Sequence, residues 1–246
     1  MLTVYNFAPA WDLPTPSPFG LKLETWLRMA GVPYECEYVQ RPVDSPKGTV
    51  PYIRDGDCVL ADTGFILEYL NARHGWPLGR LSDVACARAH VIRRMLEENT
   101  ARIIGYTRWL TDENWPATRE VGFGKMQEPW KSDISAKARK RIGEDMHLHG
   151  IARHTPAEVQ HIGTLDLEAL ENVIGRKPFV LGDQPSDVDA TAFGIVVQFI
   201  VPPLVCAMSD YARRSPVLCH YVGHILERWF PEYPRAVEIA RKGIAA

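Results

Sequence analysis

The stretch from Ala190 to Met208 (ATAFGIVVQFIVPPLVCAM) runs for 19 residues without a charge. A segment that apolar must sit either in a bilayer or at the centre of a sizeable core, and its length alone is close to a membrane span. Two details favour the core. Pro202-Pro203 breaks a helix well before the run ends, and Gln198 lies inside it with no close cluster of Lys or Arg at either end. Just upstream, Ser186-Asp187-Val188-Asp189 places Ser186 as a helix cap and Asp189 where it can return a bond to the Ser186 amide. A buried helix must satisfy its first amides internally, so Asp189 is read as structural rather than catalytic.

The remaining chain supplies the core that such a helix needs. At 246 residues it suits two domains, and 46% hydrophobic with 24% charged residues is the balance of a soluble globular protein. A formal net charge of -2 offers no electrostatic reason to expect nucleic acid or an anionic membrane as partner. The start, Met1 to Tyr5, has no basic segment followed by a long apolar one, so no signal peptide is read there. Five cysteines without a CxxC pair argue against a disulfide framework and for a reducing compartment, by default the cytosol.

The first 74 residues alternate strands and helices. Leu2 to Phe7 reads as a strand, the Pro-rich Ala8 to Pro18 as a loop, and Phe19, Leu23, Trp26, Leu27 and Ala30 as the stripe of a helix ended by Gly31 and Pro33. Ser17 stands at the start of that helix, with Pro18 at its first position. Its hydroxyl can cap the helix, and it can also donate to an anion held at the positive helix end. Tyr34 to Val39 follows as a second strand, parallel to the first. After the polar loop Arg41 to Thr49, two short apolar segments flank Asp55-Gly56-Asp57, a hairpin signal, and Asp62-Thr63 caps a short helix on which Ile66, Tyr69, Leu70 and Arg73 share a face.

Gly75 to Leu81 is read as the linker, and residues 82–246 as an all-helical domain. A stripe from Ala85 through Asn99 to Leu110 marks one long helix opened by Ser82, with Asn99 a hydrogen-bonded core polar group. Glu113 to Trp130, with two prolines and two glycines, is expected to be a surface loop. The basic run from Lys131 is read as a solvated helix face. His147, His149, His154 and His161 match no common zinc spacing, so no metal is expected. Thr155-Pro156-Ala157-Glu158 forms a capping box for a helix presenting Ile162, Leu165, Ala169 and Val173, and Ser215-Pro216 opens another with Leu218, Val222, Ile225 and Trp229. A short helix follows Pro234.

Ser17-Pro18-Phe19 resembles the active-site helix start of serine-type glutathione S-transferases. Thr49-Val50-Pro51-Tyr52-Ile53 resembles that family's Val-Pro element with its cis-proline, and Ala61-Asp62-Thr63 its acidic-Ser/Thr contact to glutathione. The runs SPFGLKLETWLRMAGVPYE, ADTGFILEYL, GIARHTPAEV and KPFVLGDQPSDVDATAFG are most similar to the branch containing failed-axon-connections and metaxin-like proteins. The resemblance implies an α/β thioredoxin-like N-terminal domain followed by an all-α domain, the glutathione S-transferase architecture. It also implies glutathione as co-substrate, a small hydrophobic electrophile as second substrate, a detoxifying conjugation and a homodimer.

In that reading Val50 pairs through its backbone with the cysteinyl part of glutathione, Pro51 supplying the cis peptide, while Asp62 and Thr63 hold the γ-glutamyl end. Lys47 or Arg41 meets the glycyl carboxylate. Ser17 donates to the sulfur and stabilises the thiolate. Trp11, Tyr106 and Trp109 are candidates for the electrophile pocket. Members of the branch often carry cysteine where this chain has Gly20, so the resemblance favours a serine assisting an external thiolate over attack by a protein thiol. The alternative is a non-catalytic adaptor of metaxin-like type that retains the fold.

Overall fold

The computed structural model describes residues 1–242. The N-terminal segment forms β1 (Leu2–Asn6), α1 (Pro18–Met29), β2 (Tyr34–Tyr38), β3 (Tyr52–Asp55), β4 (Cys58–Ala61) and α2 (Thr63–His74). The sheet order is β2-β1-β3-β4. The first two strands are parallel, with Val4 opposite Cys36, and the other pairings are antiparallel. The β-α-β unit followed by a hairpin is therefore as read from the sequence. Leu2, Val4 and Ile53 from the sheet meet Leu23, Trp26 and Leu27 of α1 and Ile66, Leu67 and Leu70 of α2 in one small core. On α2, Ile66, Leu67, Leu70 and Asn71 are buried, Tyr69 is half-buried, and the Arg73 side chain is exposed and paired with Asp55 at 2.7 Å.

The helical part comprises α3 (Asp83–Arg94), α4 (Ala101–Trp109), α5 (Trp115–Phe123), α6 (Trp130–His149), α7 (Pro156–Ile174), α8 (Asp187–Ile200), α9 (Ala207–Arg214), α10 (Pro216–Trp229) and α11 (Pro234–Lys242). The long helix opened by Ser82 is continuous from α3 to α4, but a π-helical segment, Met95–Thr100, interrupts its register. Such segments recur at functional sites. Asn99 does find a polar partner, donating to Asp166 at 2.7 Å.

One expectation fails here. Residues 115–123, expected as loop, form α5, because Pro116 falls in the first turn, where its missing N–H costs nothing. The inner face of α7 is Val159, Gly163, Leu167, Leu170 and Ile174, leaving Leu165 and Val173 outside. A Cβ at Gly163 would collide with Met208, so the contact centres on a glycine that an apolar pattern skips.

The apolar run splits as the prolines demand, α8 ending at Ile200 and α9 beginning at Ala207. Every residue of α8 after Asp187 is buried. Among the described residues no helix is long and apolar enough to cross a membrane. This central helix also joins the two halves. Asp187 accepts from the Trp26 indole (2.8 Å) and the Asn71 amide (2.7 Å), both in the N-terminal half. At Gly194 a Cβ would stand 2.6 Å from the Pro18 carbonyl and 2.8 Å from the Lys22 amide, so only glycine lets α8 lie directly on the first turns of α1. The helix start that carries Ser17 thus rests on the most buried helix of the protein.

Candidate functional site

Asn6 ends β1 fully buried, and its side chain organises the loop that follows. Its carbonyl oxygen accepts from Thr15 Oγ1 at 3.0 Å, its NH2 donates to Glu24 Oε1 at 3.0 Å, and Thr15 Oγ1 in turn accepts from the Ser17 amide at 3.3 Å. Glu24 is buried, which pushes its carboxyl pKa up. Arg28 nearby, the Tyr34 hydroxyl and the Asn6 amide act against that shift. This chain of polar groups fixes Ser17 in an extended conformation, with its hydroxyl accepting from the Gly20 amide at 3.1 Å as the cap of α1. The hydroxyl hydrogen is left to donate, so capping and donation to an anion are compatible on one oxygen.

The same geometry explains Gly20. A Cβ there would overlap the Asn6 carboxamide, so the position is filled from β1 and a side chain is excluded unless Asn6 changes. A Gly20→Cys variant is expected to be destabilised by about 1–3 kcal/mol through overpacking, read as a lower denaturation midpoint. An unchanged midpoint would show that Asn6 yields freely.

Between Asn6 and Ser17 the loop makes a tight turn in which Ala10 and Leu13 exchange two backbone hydrogen bonds of 3.1 Å. The two turn residues, Trp11 and Asp12, have φ of 54° and 57°. Neither is glycine or asparagine, and a left-handed residue of this kind costs on the order of 1–3 kcal/mol. Side chains from the helical half hold the loop. Arg108 of α4 donates to the Pro16 carbonyl at 2.7 Å and lies under the Trp11 ring at 4.7 Å, while Arg235 of α11 pairs with Asp12 at 3.5 Å.

The Val50–Pro51 peptide is cis, and β3 begins only at Tyr52, so the Val50 amide and carbonyl lie outside the sheet ladder. Asp62 has φ of 76° and caps α2, its carboxylate accepting from the Gly64 amide at 2.8 Å. Thr63 beside it is buried. Its hydroxyl accepts from Lys22 Nζ at 2.9 Å, which ties the start of α2 to α1. Lys22 is itself buried and pairs at 2.7 Å with Glu97, a residue of the π-helical segment, to which Thr191 of α8 also donates at 3.1 Å. Burial lowers the Lys22 pKa and the Glu97 carboxylate opposes that shift. With one lone pair taken by an ammonium, the Thr63 O–H is oriented as a donor, which suits a carboxylate ligand at this helix start.

Ser17 and Thr63 are therefore both anchored to the first turns of α1, and Trp11 is joined to them through Arg108 and Pro16. The other candidates lie differently. Lys47 is exposed and stands over the Phe65 ring at 4.2 Å, near the start of α2. Tyr106 is buried in the core of the helical half, where burial raises its pKa. Trp109 joins Trp115 and Phe123, ring centroids 5.5 and 6.2 Å away, on the side of α4 that faces α5. Because neighbours on a helix point about 100° apart, it is Arg108 that turns towards the Ser17 loop. Asn6, Thr15, Lys22, Glu97 and Arg108 were not singled out from the sequence. For Lys22 and Glu24 a signal existed, in that both are charges close to the apolar stripe of a helix read as buried on that face.

Two family models match the chain, the glutathione S-transferase N-terminal domain over residues 18–114 and the glutathione S-transferase C-terminal domain over residues 163–225. The chain belongs to the glutathione S-transferase superfamily. It is 29% identical over 237 residues to the isoprene-epoxide–glutathione S-transferase of Rhodococcus sp. (strain AD45), covering 93% of this chain and 99% of that one. It is 26% identical to failed axon connections of Drosophila melanogaster, covering 95% of this chain and 59% of the longer fly protein. Among solved structures, a beta-etherase from Sphingobium shares the fold with a TM-score of 0.66, at 20% identity over 98% of both chains. Within this superfamily the sheet with α1 and α2 is the thioredoxin-like domain, and α3 to α11 form the helical one.

Proposed function

We propose that this chain binds glutathione and conjugates its thiolate to a small electrophile. The observation that carries the reading is the convergence on α1 of two hydroxyls free to donate. Ser17 stands at its N-terminus, and Thr63 is tethered to it through Lys22. In this reading the γ-glutamyl carboxylate meets the start of α2 at Thr63, and Asp62 faces the γ-glutamyl amine. The cysteinyl main chain pairs with Val50 beside Pro51, and Lys47 reaches the glycyl carboxylate. The sulfur then lies against Ser17, whose O–H and the positive end of α1 both favour the charged form.

The Rhodococcus relative, an isoprene-epoxide–glutathione S-transferase, makes small apolar epoxides the first electrophiles to try. The sulfur–carbon bond forms as a ring carbon–oxygen bond breaks, and the resulting alkoxide takes a proton from water. Trp11, beside the Ser17 loop, is the best placed of the aromatic candidates to meet the second substrate. Five unpaired cysteines fit a reducing cytosol as the place of action.

A second reading has a specific observation in its favour. Asp62 and Thr63 are already engaged inside the protein, by Gly64 and Lys22, so both have structural work in a non-catalytic adaptor. Retention on immobilised glutathione followed by a conjugation assay with an epoxide separates the two. The transferase reading expects retention and turnover. Absence of both supports the adaptor.

A further inference from the structure

Arg108 is 6% exposed and has no acidic partner among the described residues. Its guanidinium donates to the carbonyl of Pro16 and to the side-chain oxygen of Gln198 on α8, and it lies against Trp11, while Nε has no partner among the described residues. The groups that face it are thus neutral from the β1–α1 loop and from α8. The carboxylate nearest in sequence on that loop, Asp12, is paired instead with Arg235. Burial alone pushes its pKa down, to about 9, which leaves it charged at neutral pH. A buried cation is ordinarily matched by an anion, because desolvation of an isolated charge costs several kilocalories per mole.

We propose that the anion arrives with the substrate, and that Arg108 is the counter-charge of the glutathione thiolate, one residue behind the Ser17 hydroxyl that receives it. The inference rests on the glutathione reading above and names a residue for it. Arg108 touches neither the sulfur nor the electrophile in this arrangement. It acts as a positioning residue, holding the Pro16 carbonyl and so the Ser17 cap, and as a fixed positive charge in a poorly screened setting. At an effective dielectric near 20, a unit charge within roughly 12 Å of the sulfur is worth on the order of tenfold in the ionisation constant, about one pKa unit.

The test is the thiol pKa of bound glutathione, followed as thiolate ultraviolet absorbance against pH, in wild type and in Arg108→Met, Arg108→Lys and Gln198→Glu. Gln198→Glu is the decisive variant. It sets a carboxylate on the guanidinium without removing the grip on Pro16 and gives a buried cation a partner; because it also gives up the Gln198 Nε2 bond to the Gly194 carbonyl at 3.2 Å, the denaturation midpoint is read beside the thiol pKa. The proposal expects the bound thiol pKa to rise by about one unit in Gln198→Glu and Arg108→Met, with roughly threefold to eightfold less thiolate at neutral pH. Arg108→Lys should keep most of the wild-type value. An unmoved thiol pKa in Gln198→Glu would overturn the proposal and leave Arg108 a mere tether. Wild-type protein that does not bind glutathione would overturn the underlying functional reading, and this inference with it.

Discussion

Ser17→Ala is expected to lower conjugation by about 8-fold to 25-fold at neutral pH. A thiol with an ordinary pKa near 8.5 is only a few per cent ionised there, whereas one lowered by one to two units is ionised to an extent severalfold to tens of times greater. The same substitution also removes the α1 cap, at about 1 kcal/mol, so a fall in activity alone would not identify the cause. Ser17→Asp makes the distinction. Aspartate caps a helix as well as serine does, yet its carboxylate cannot donate and repels a thiolate. The account predicts that Ser17→Asp keeps near wild-type stability and loses turnover at least as severely as Ser17→Ala. Turnover that survives in both variants would remove Ser17 from the chemistry and leave it a cap.

Asp189→Ala is expected to cost about 3–5 kcal/mol of stability, an amount associated with stripping a buried ionic or multiply bonded group of its partners. Asp189 is fully buried. It accepts from the Val180 amide at 2.7 Å, from the Ser186 amide and hydroxyl at 2.9 Å each, and from the Tyr221 hydroxyl at 3.2 Å. Burial raises its carboxyl pKa and these bonds oppose the shift. Alanine would orphan the Val180 and Ser186 amides and the Ser186 hydroxyl at the start of α8, while the Tyr221 hydroxyl keeps the main-chain carbonyl of residue 189 at 3.1 Å. Because Gly194 and Asp187 of this helix contact α1 and its neighbours, the loss should propagate to the Ser17 helix. Denaturant unfolding reads the effect directly, and a loss below about 1 kcal/mol would refute the assigned role.

What the sequence made legible was whatever depends on neighbours along the chain. Ser17-Pro18, Thr155-Pro156-Ala157-Glu158 and Ser186-Asp187-Val188-Asp189 announce helix starts because a cap bonds within three residues of itself. The hairpin at Asp55-Gly56-Asp57 and the break at Pro202-Pro203 are local in the same sense. The two-domain transferase architecture followed from these signals together with the family resemblance. The arrangement of the site was less legible where it depends on long-range packing. Arg108 meets Pro16 across 92 residues and Lys22 meets Glu97 across 75, and no periodicity reports such pairs. The inner face of α7 is hard to read for a related reason, since Gly163 marks the contact by being small rather than apolar.

The central claim is that a glutathione thiol is ionised at the N-terminus of α1. Difference ultraviolet absorbance on titrating glutathione into the wild-type protein near neutral pH tests it most directly. The account predicts a saturable thiolate band that is lost or strongly reduced with Ser17→Ala. Saturable glutathione binding with no thiolate band, or a band of equal size in Ser17→Ala, would contradict it.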